Sequence, residues 1–232
     1  MVDSIANDVV TSQSSLATLT NLLPDLEPSL QIVGLLFILS FLPIMVVTMT
    51  PFLRIVLVLS LLKQALGTQN SPPTMVIVGL ALFLTGYILG PEIKKINTEA
   101  LIPLANNEMK LPEALTKAYQ PLKLHMLRNA DNNDIKFFYQ LSKAPLPKNS
   151  QEIQARELVI SYLLGELRKA FQIGFLIFIP FLVIDLIVAN ILLALGMIML
   201  SPTIVSLPFK IMIFIGIDGW QLIVKGLANS FN

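Results

Sequence analysis

The amino-acid sequence predicts an all-α, membrane-associated protein: helical apolar hairpins with long, kinked helices on either side of a polar helical domain. Three observations predict it. The 232 residues are 54% hydrophobic and only 13% charged, against about 25% charged in soluble domains. The charges are clustered, with twenty-one of the thirty-one Lys, Arg, Asp and Glu residues inside residues 92–169. Residues 186–217, LIVANILLALGMIMLSPTIVSLPFKIMIFIGI, hold a single charge, Lys210. The pattern divides the chain into an acidic stretch 1–29, an apolar hairpin 30–90, a polar domain 91–150 and a second apolar hairpin 151–232.

The acidic stretch carries Asp3, Asp8, Asp25 and Glu27, and no Lys or Arg precedes the first apolar run. That is unlike a secretory signal, so insertion is directed by the apolar run itself or by a leader removed earlier. Residues 30–53 are uncharged, longer than the roughly 20 residues a bilayer span needs, with Pro43 and Pro51 as kinks or ends. Residues 54–63 continue the apolarity between Arg54 and Lys63. Gln69, Asn70, Ser71, Pro72 and Pro73 read as a turn. A second apolar segment, 74–89, contains Gly86 and Gly90 at the spacing that lets helices approach closely.

In the polar domain, Pro112 and Glu113 open a helical pattern through Ala118, Leu122, Met126 and Leu127, interrupted by Pro121. Asp131 or Asn133 caps the next helix, with Ile135, Phe138 and Leu141 on one face. Phe137, Phe138 and Tyr139 read as core. Pro145 and Pro147 end that helix, and Asn149 with Glu152 forms a capping box for the element that follows. Residues 151–200 contain no turn signal except Pro180. As one helix they would reach about 75 Å at roughly 1.5 Å per residue, more than twice a hydrocarbon core of about 30 Å. The element therefore projects from the membrane, bends back near residues 180–185, or is less immersed than its hydropathy implies. Ser201 and Pro202 break it, Pro208 restarts the chain, and residues 209–224 form a last apolar segment holding Asp218. The bias of Arg54 and Lys63 places the first connection on the cytoplasmic side and the central domain outside.

Two groups of residues are candidates for function. The first is Gly196, Met197, Ile198, Met199, Leu200, Ser201 and Pro202, a soft apolar strip between helix-breaking residues. Methionine is unbranched and polarizable and seals against irregular shapes, so the strip reads as a compliant constriction, Met197 and Met199 being core filler in the plainer reading. The second is the set of charges in or beside apolar runs: Arg54, Lys63, Asp185, Lys210 and Asp218. Such groups form an ion relay, or pair with each other or with neighbouring subunits. Each acid stands alone in its segment, which favours pairing. Nothing points to catalysis, a cofactor or a metal. His125 is the only histidine and has no ligand-spaced neighbours, cysteine is absent, and no phosphate-binding or dinucleotide fingerprint occurs. No basic tract exists that would track nucleic acid.

Three blocks resemble the FliP family, the flagellar type III export-gate proteins: residues 50–73, TPFLRIVLVLSLLKQALGTQNSPP; residues 171–185, FQIGFLIFIPFLVID; and residues 194–220, ALGMIMLSPTIVSLPFKIMIFIGIDGW. Gln120-Pro121-Leu122 and His125-Met126-Leu127-Arg128 are similar to the flagellar branch more than to the homologous subunits of virulence injectisomes. The resemblance implies a helical oligomer, a pentamer of this subunit joined by FliQ-like and FliR-like gate subunits and served by FlhB-like and FlhA-like export components. It implies a pore for unfolded secreted substrates in the bacterial inner membrane, with the gate largely on the periplasmic side at the flagellar basal body. On that likeness Met197, Ile198, Met199 and Leu200 form the gasket closing the resting pore, where relatives often have a methionine in place of Ile198. Gly196, Ser201 and Pro202 act as the loop hinge, and the five charges lie at subunit contacts. The competing readings are an injectisome subunit, an ion-coupled transporter using Asp185 and Asp218, and a membrane scaffold without transport.

Overall fold

The computed structural model describes residues 28–68 and 71–231. The acidic stretch up to residue 27 and the turn residues Gln69 and Asn70 lie outside the described residues. Every regular element among the described residues is helical.

The chain divides into two units. The first comprises residues 28–47 with Gly90–His125. It holds most of α1 (Pro28–Met49), α4 (Gly90–Ile96), a π-helical turn (Asn97–Leu101), α5 (Ile102–Ala105) and the larger part of α6 (Leu111–Asn129). Within it, Glu92 of α4 and His125 of α6 are both buried, with Oε1 and Nδ1 4.0 Å apart.

The second unit comprises Thr48–Leu89 with Met126–Asn232. It holds α2 (Phe52–Leu66), α3 (Thr74–Ile88), α7 (Asn132–Leu141), α8 (Ala155–Ala194), α9 (Pro202–Gly216) and α10 (Gly219–Asn229). The helix α8 is its spine. It packs most heavily on α2, and also on α7 and α9. The i, i+3, i+4 spacing of Ile55, Val58, Leu59, Leu62, Ala65 and Leu66 gives α2 one continuous apolar face, and all six are buried. On α8, Ala170 and Gly174 let α2 come close. A Cβ at Gly174 would collide with the Leu61 side chain, lying 3.2 Å from its Cβ and closer to its tip. Ile77 and Ala81 of α3, Leu227 of α10, and Phe181 with Phe214 complete the core.

Several expectations change. Pro51 does end the first helix of the apolar run 30–53, as expected, since α1 stops at Met49 and Pro51 is the N-cap of the next. Pro43, Pro121 and Pro208 do not break the chain. Each lies inside a helix, so the missing hydrogen bond does not end it. Consequently α9 starts at Pro202 rather than Pro208, and a bend of 65° separates it from α10 at Asp218. Asp218 adopts the left-handed conformation (φ +53°), which Asp tolerates better than most residues. On α7 the buried set is Asp134, Ile135 and Tyr139, while Leu141 and Phe137 are exposed. The i, i+4 step from Ile135 falls on Tyr139, whose hydroxyl accepts a bond from the Gln154 N–H at 2.9 Å. Asp131 does cap α7, accepting from the Asn133 N–H at 2.8 Å. Asn149 accepts from the Glu152 N–H at 3.0 Å, but this closes a turn three residues ahead of α8, whose N-cap is Gln154.

The long element resolves clearly. The helix α8 runs unbroken for 40 residues through Pro180, about 60 Å, so it does not fold back near residues 180–185. By length and composition it is the one described single helix long and apolar enough to cross a membrane.

Candidate functional site

The loop between α8 and α9 is built around its glycine. Gly196 has φ +72°, a conformation that costs least for a residue without Cβ. Its N–H donates to the Leu193 carbonyl at 3.0 Å, and the Met197 N–H donates to the Leu192 carbonyl at 2.9 Å. This pair of bonds is the Schellman closure, which satisfies carbonyls that a helix end leaves open. Pro202 sits in the first turn of α9, where its missing N–H removes nothing. The Ser201 carbonyl accepts from Ile204 and Val205, and the Ser201 side chain makes no capping bond.

The C-terminal end of α8 is thus closed by backbone, and the four side chains that follow stand largely outside the core. Met199 is fully exposed, Ile198 is 79% exposed, and Met197 and Leu200 are each 48% exposed. Four consecutive apolar side chains held in solvent by a well-formed turn oppose the hydrophobic effect unless something covers them. The outer face of α8 continues the exposure through Phe171, Phe175, Leu186, Ile187, Ile191 and Leu193. Beside the loop, α8 and α9 enclose a wholly apolar groove of about 460 Å³ that includes Ile191, Leu195, Val205 and Phe209.

Three of the five predicted charges find partners within the chain. Arg54 is fully buried and grips Glu166, with Nε donating to Oε2 at 2.8 Å and Nη2 donating to Oε1. Its Nη1 donates to the carbonyl (2.8 Å) and hydroxyl (2.9 Å) of Ser230, and the guanidinium lies 3.6 Å from the centre of the Phe231 ring. Lys210, also buried, donates from Nζ to Asp185 Oδ2 at 2.7 Å and to the Ala65 carbonyl at 3.1 Å. Ser206 donates its hydroxyl to Asp185 Oδ1. Lys63 has no ion-pair partner among the described residues, and Asp218 lies at the break between α9 and α10.

Sequence reasoning missed Glu166, Ser206, Ser230 and Phe231. Arg54 lies 112 positions from Glu166 and 176 from Ser230, and no local pattern joins residues that far apart. A signal for Asp185 and Lys210 does exist. They lie thirteen residues before and twelve after Ile198, so folding the hairpin about its loop brings them level.

Residues 35–227 match the FliP family. The chain is 45% identical over 205 residues to the flagellar biosynthetic protein FliP of Caulobacter vibrioides, covering 88% of this chain and 77% of the relative. It is 44% identical over 207 residues to the protein of that name from Bacillus subtilis, covering 89% and 94%. A third such protein, from Pectobacterium carotovorum, is 43% identical over 203 residues, covering 88% and 79%. With a match running from α1 to α10 and including the loop, the chain belongs to the FliP family.

Proposed function

We propose that this chain is a core pore-forming subunit of the flagellar type III protein export gate, passing unfolded flagellar substrates across the bacterial inner membrane. Copies of it form a pentamer with FliQ-like and FliR-like subunits, supplied by FlhB-like and FlhA-like components, and the assembled gate stands largely on the periplasmic side. The observation that carries this reading is the run of Met197, Ile198, Met199 and Leu200, presented to solvent just past the closed end of α8. Converging from several copies, these side chains exclude water and block ions, since narrow apolar constrictions gate by dewetting. A moving polypeptide parts them, and the unbranched methionines repack behind it at little strain. The relatives' shared name supports the flagellar setting. Asp185 is engaged with Lys210 and Ser206, which weighs against the ion-coupled transporter.

The test is deletion of residues 197–200 in motile cells. The expected result is a raised ion leak, read in planar bilayers or as sodium sensitivity, with export retained. An unchanged leak overturns the gasket, and unchanged motility in a strain lacking the whole chain overturns the flagellar assignment.

A further inference from the structure

Sulfur chemistry in this chain belongs to methionine alone. Nine methionines and no cysteine occur in the 232 residues, so no thiol intercepts an oxidant ahead of the thioethers. Their settings differ. Met126 is fully buried, whereas Met75 on α3, Met212 on α9 and the loop pair Met197 and Met199 are exposed. No other two methionines stand as close along the chain as 197 and 199. The Met199 side chain is wholly in solvent, and Met197 is half-exposed. The end of α8 is held by the Gly196 and Met197 N–H groups, and neither methionine side chain belongs to the buried core. Chemistry at the two sulfurs therefore leaves the helix end in place and changes only the surface that the loop presents.

We propose that Met197 and Met199 are a modification site through which hydrogen peroxide opens the resting gate, sulfoxide formation at the two thioethers turning an apolar gasket into a wetted one. The sulfur lone pair attacks one peroxide oxygen, and the S–O bond forms as the O–O bond breaks. The hydroxide that leaves takes the proton of the transferred oxygen and departs as water. Each sulfur is oxidised by two electrons and each peroxide reduced by two. The product is polar where the thioether was apolar. A constriction that blocks ions by dewetting loses that property when strong hydrogen-bond acceptors line it. Ile198 and Leu200 carry no sulfur, so the response is confined to alternate positions of the strip. Hydrogen peroxide is small and uncharged, and it meets the side chains at the rim of the ring and whenever a passing polypeptide parts them. The inference rests on the gasket reading and adds a regulation to it.

Assembled gates, purified whole and held in planar bilayers, test it on exposure to hydrogen peroxide, with peptide mass spectrometry locating each sulfoxide. The leak is expected to rise about tenfold, the factor that corresponds to leaving one buried polar group unsatisfied, as Met197 and Met199 each gain one oxygen. Methionine sulfoxide reductases of both stereospecificities, supplied with a dithiol, are expected to restore the resting leak. In the double variant Met197→Leu with Met199→Leu, whatever its own resting leak, peroxide is expected to change nothing. In Met75→Leu with Met212→Leu the rise stays. An unchanged leak in unaltered gates whose two loop sulfurs are oxidised overturns the proposal. A peroxide dose that oxidises Met75 while sparing 197 and 199 overturns it as well, and so does a rise that survives in Met197→Leu with Met199→Leu. The reductase arm uses the unaltered chain, so it holds even if that variant does not assemble. A leak that rises on deletion of residues 197–200 but not on their oxidation removes this inference and keeps the gasket, while a leak indifferent to both removes the gasket too.

Discussion

Arg54 and Glu166 form a two-point ion pair in which both side chains are fully buried, and the same guanidinium reaches Ser230 near the end of the chain. One residue of α2 therefore ties α8 and the C-terminal end of α10 together. The planar fork of arginine suits this, because its donors leave in fixed directions and satisfy a carboxylate and a carbonyl at once.

Replacing Glu166 by Gln leaves a buried guanidinium without its counter-charge. The expected loss is about 3–5 kcal/mol of folding stability, read as a lowered melting temperature in detergent. The double variant Arg54→Met with Glu166→Leu recovers most of it, because no charge then remains buried. A single variant as stable as the unaltered chain contradicts the pairing.

Asp185→Asn acts in the same direction and less severely, since Asp185 is partly exposed while Lys210 is buried. The expected cost is about 1.5–3 kcal/mol, the range for a hydrogen bond to a charged group. Stability and assembly fall together. An export rate that loses only its dependence on the ion gradient, with assembly intact, points instead to a relay.

Gly174→Ala places a methyl against Leu61 where α2 packs on α8. Overpacking of this kind costs about 1–3 kcal/mol. Adding Leu61→Ala to the same chain relieves the clash, so the double variant is expected to melt higher than Gly174→Ala alone.

Gly196→Ala isolates the loop's backbone, because nothing lies within 4 Å of a Cβ there. The cost is that of the left-handed conformation, about 1–2 kcal/mol, and hydrogen exchange in the last turn of α8 quickens. Gly196→Asn restores part of the protection, since Asn also closes helices this way.

Met199→Asp separates function from stability. Its side chain is fully exposed, so the melting temperature of the isolated chain stays within the change of about 0.5 kcal/mol usual for surface positions. The ion leak of assembled gates rises because a charged ring holds water. A leak equal to that of the unaltered chain contradicts a position on the pore axis.

By itself, the sequence determined the all-helical class, the break at Ser201 and Pro202, a cap at Asp131 or Asn133 and the apolar loop after Gly196. These are local properties: hydrophobic period, missing N–H groups and a glycine where the chain must turn left-handed all act within a few residues. Only the tertiary structure decided that Pro43, Pro121 and Pro208 stay inside helices, that α8 is unbroken through Pro180, and that Arg54 meets Glu166 and Ser230. Along α8, packing against α2 outweighs the hydrogen bond lost at Pro180. A buried charge takes whichever partner the fold brings to it, and neither effect is written in the spacing of neighbouring residues.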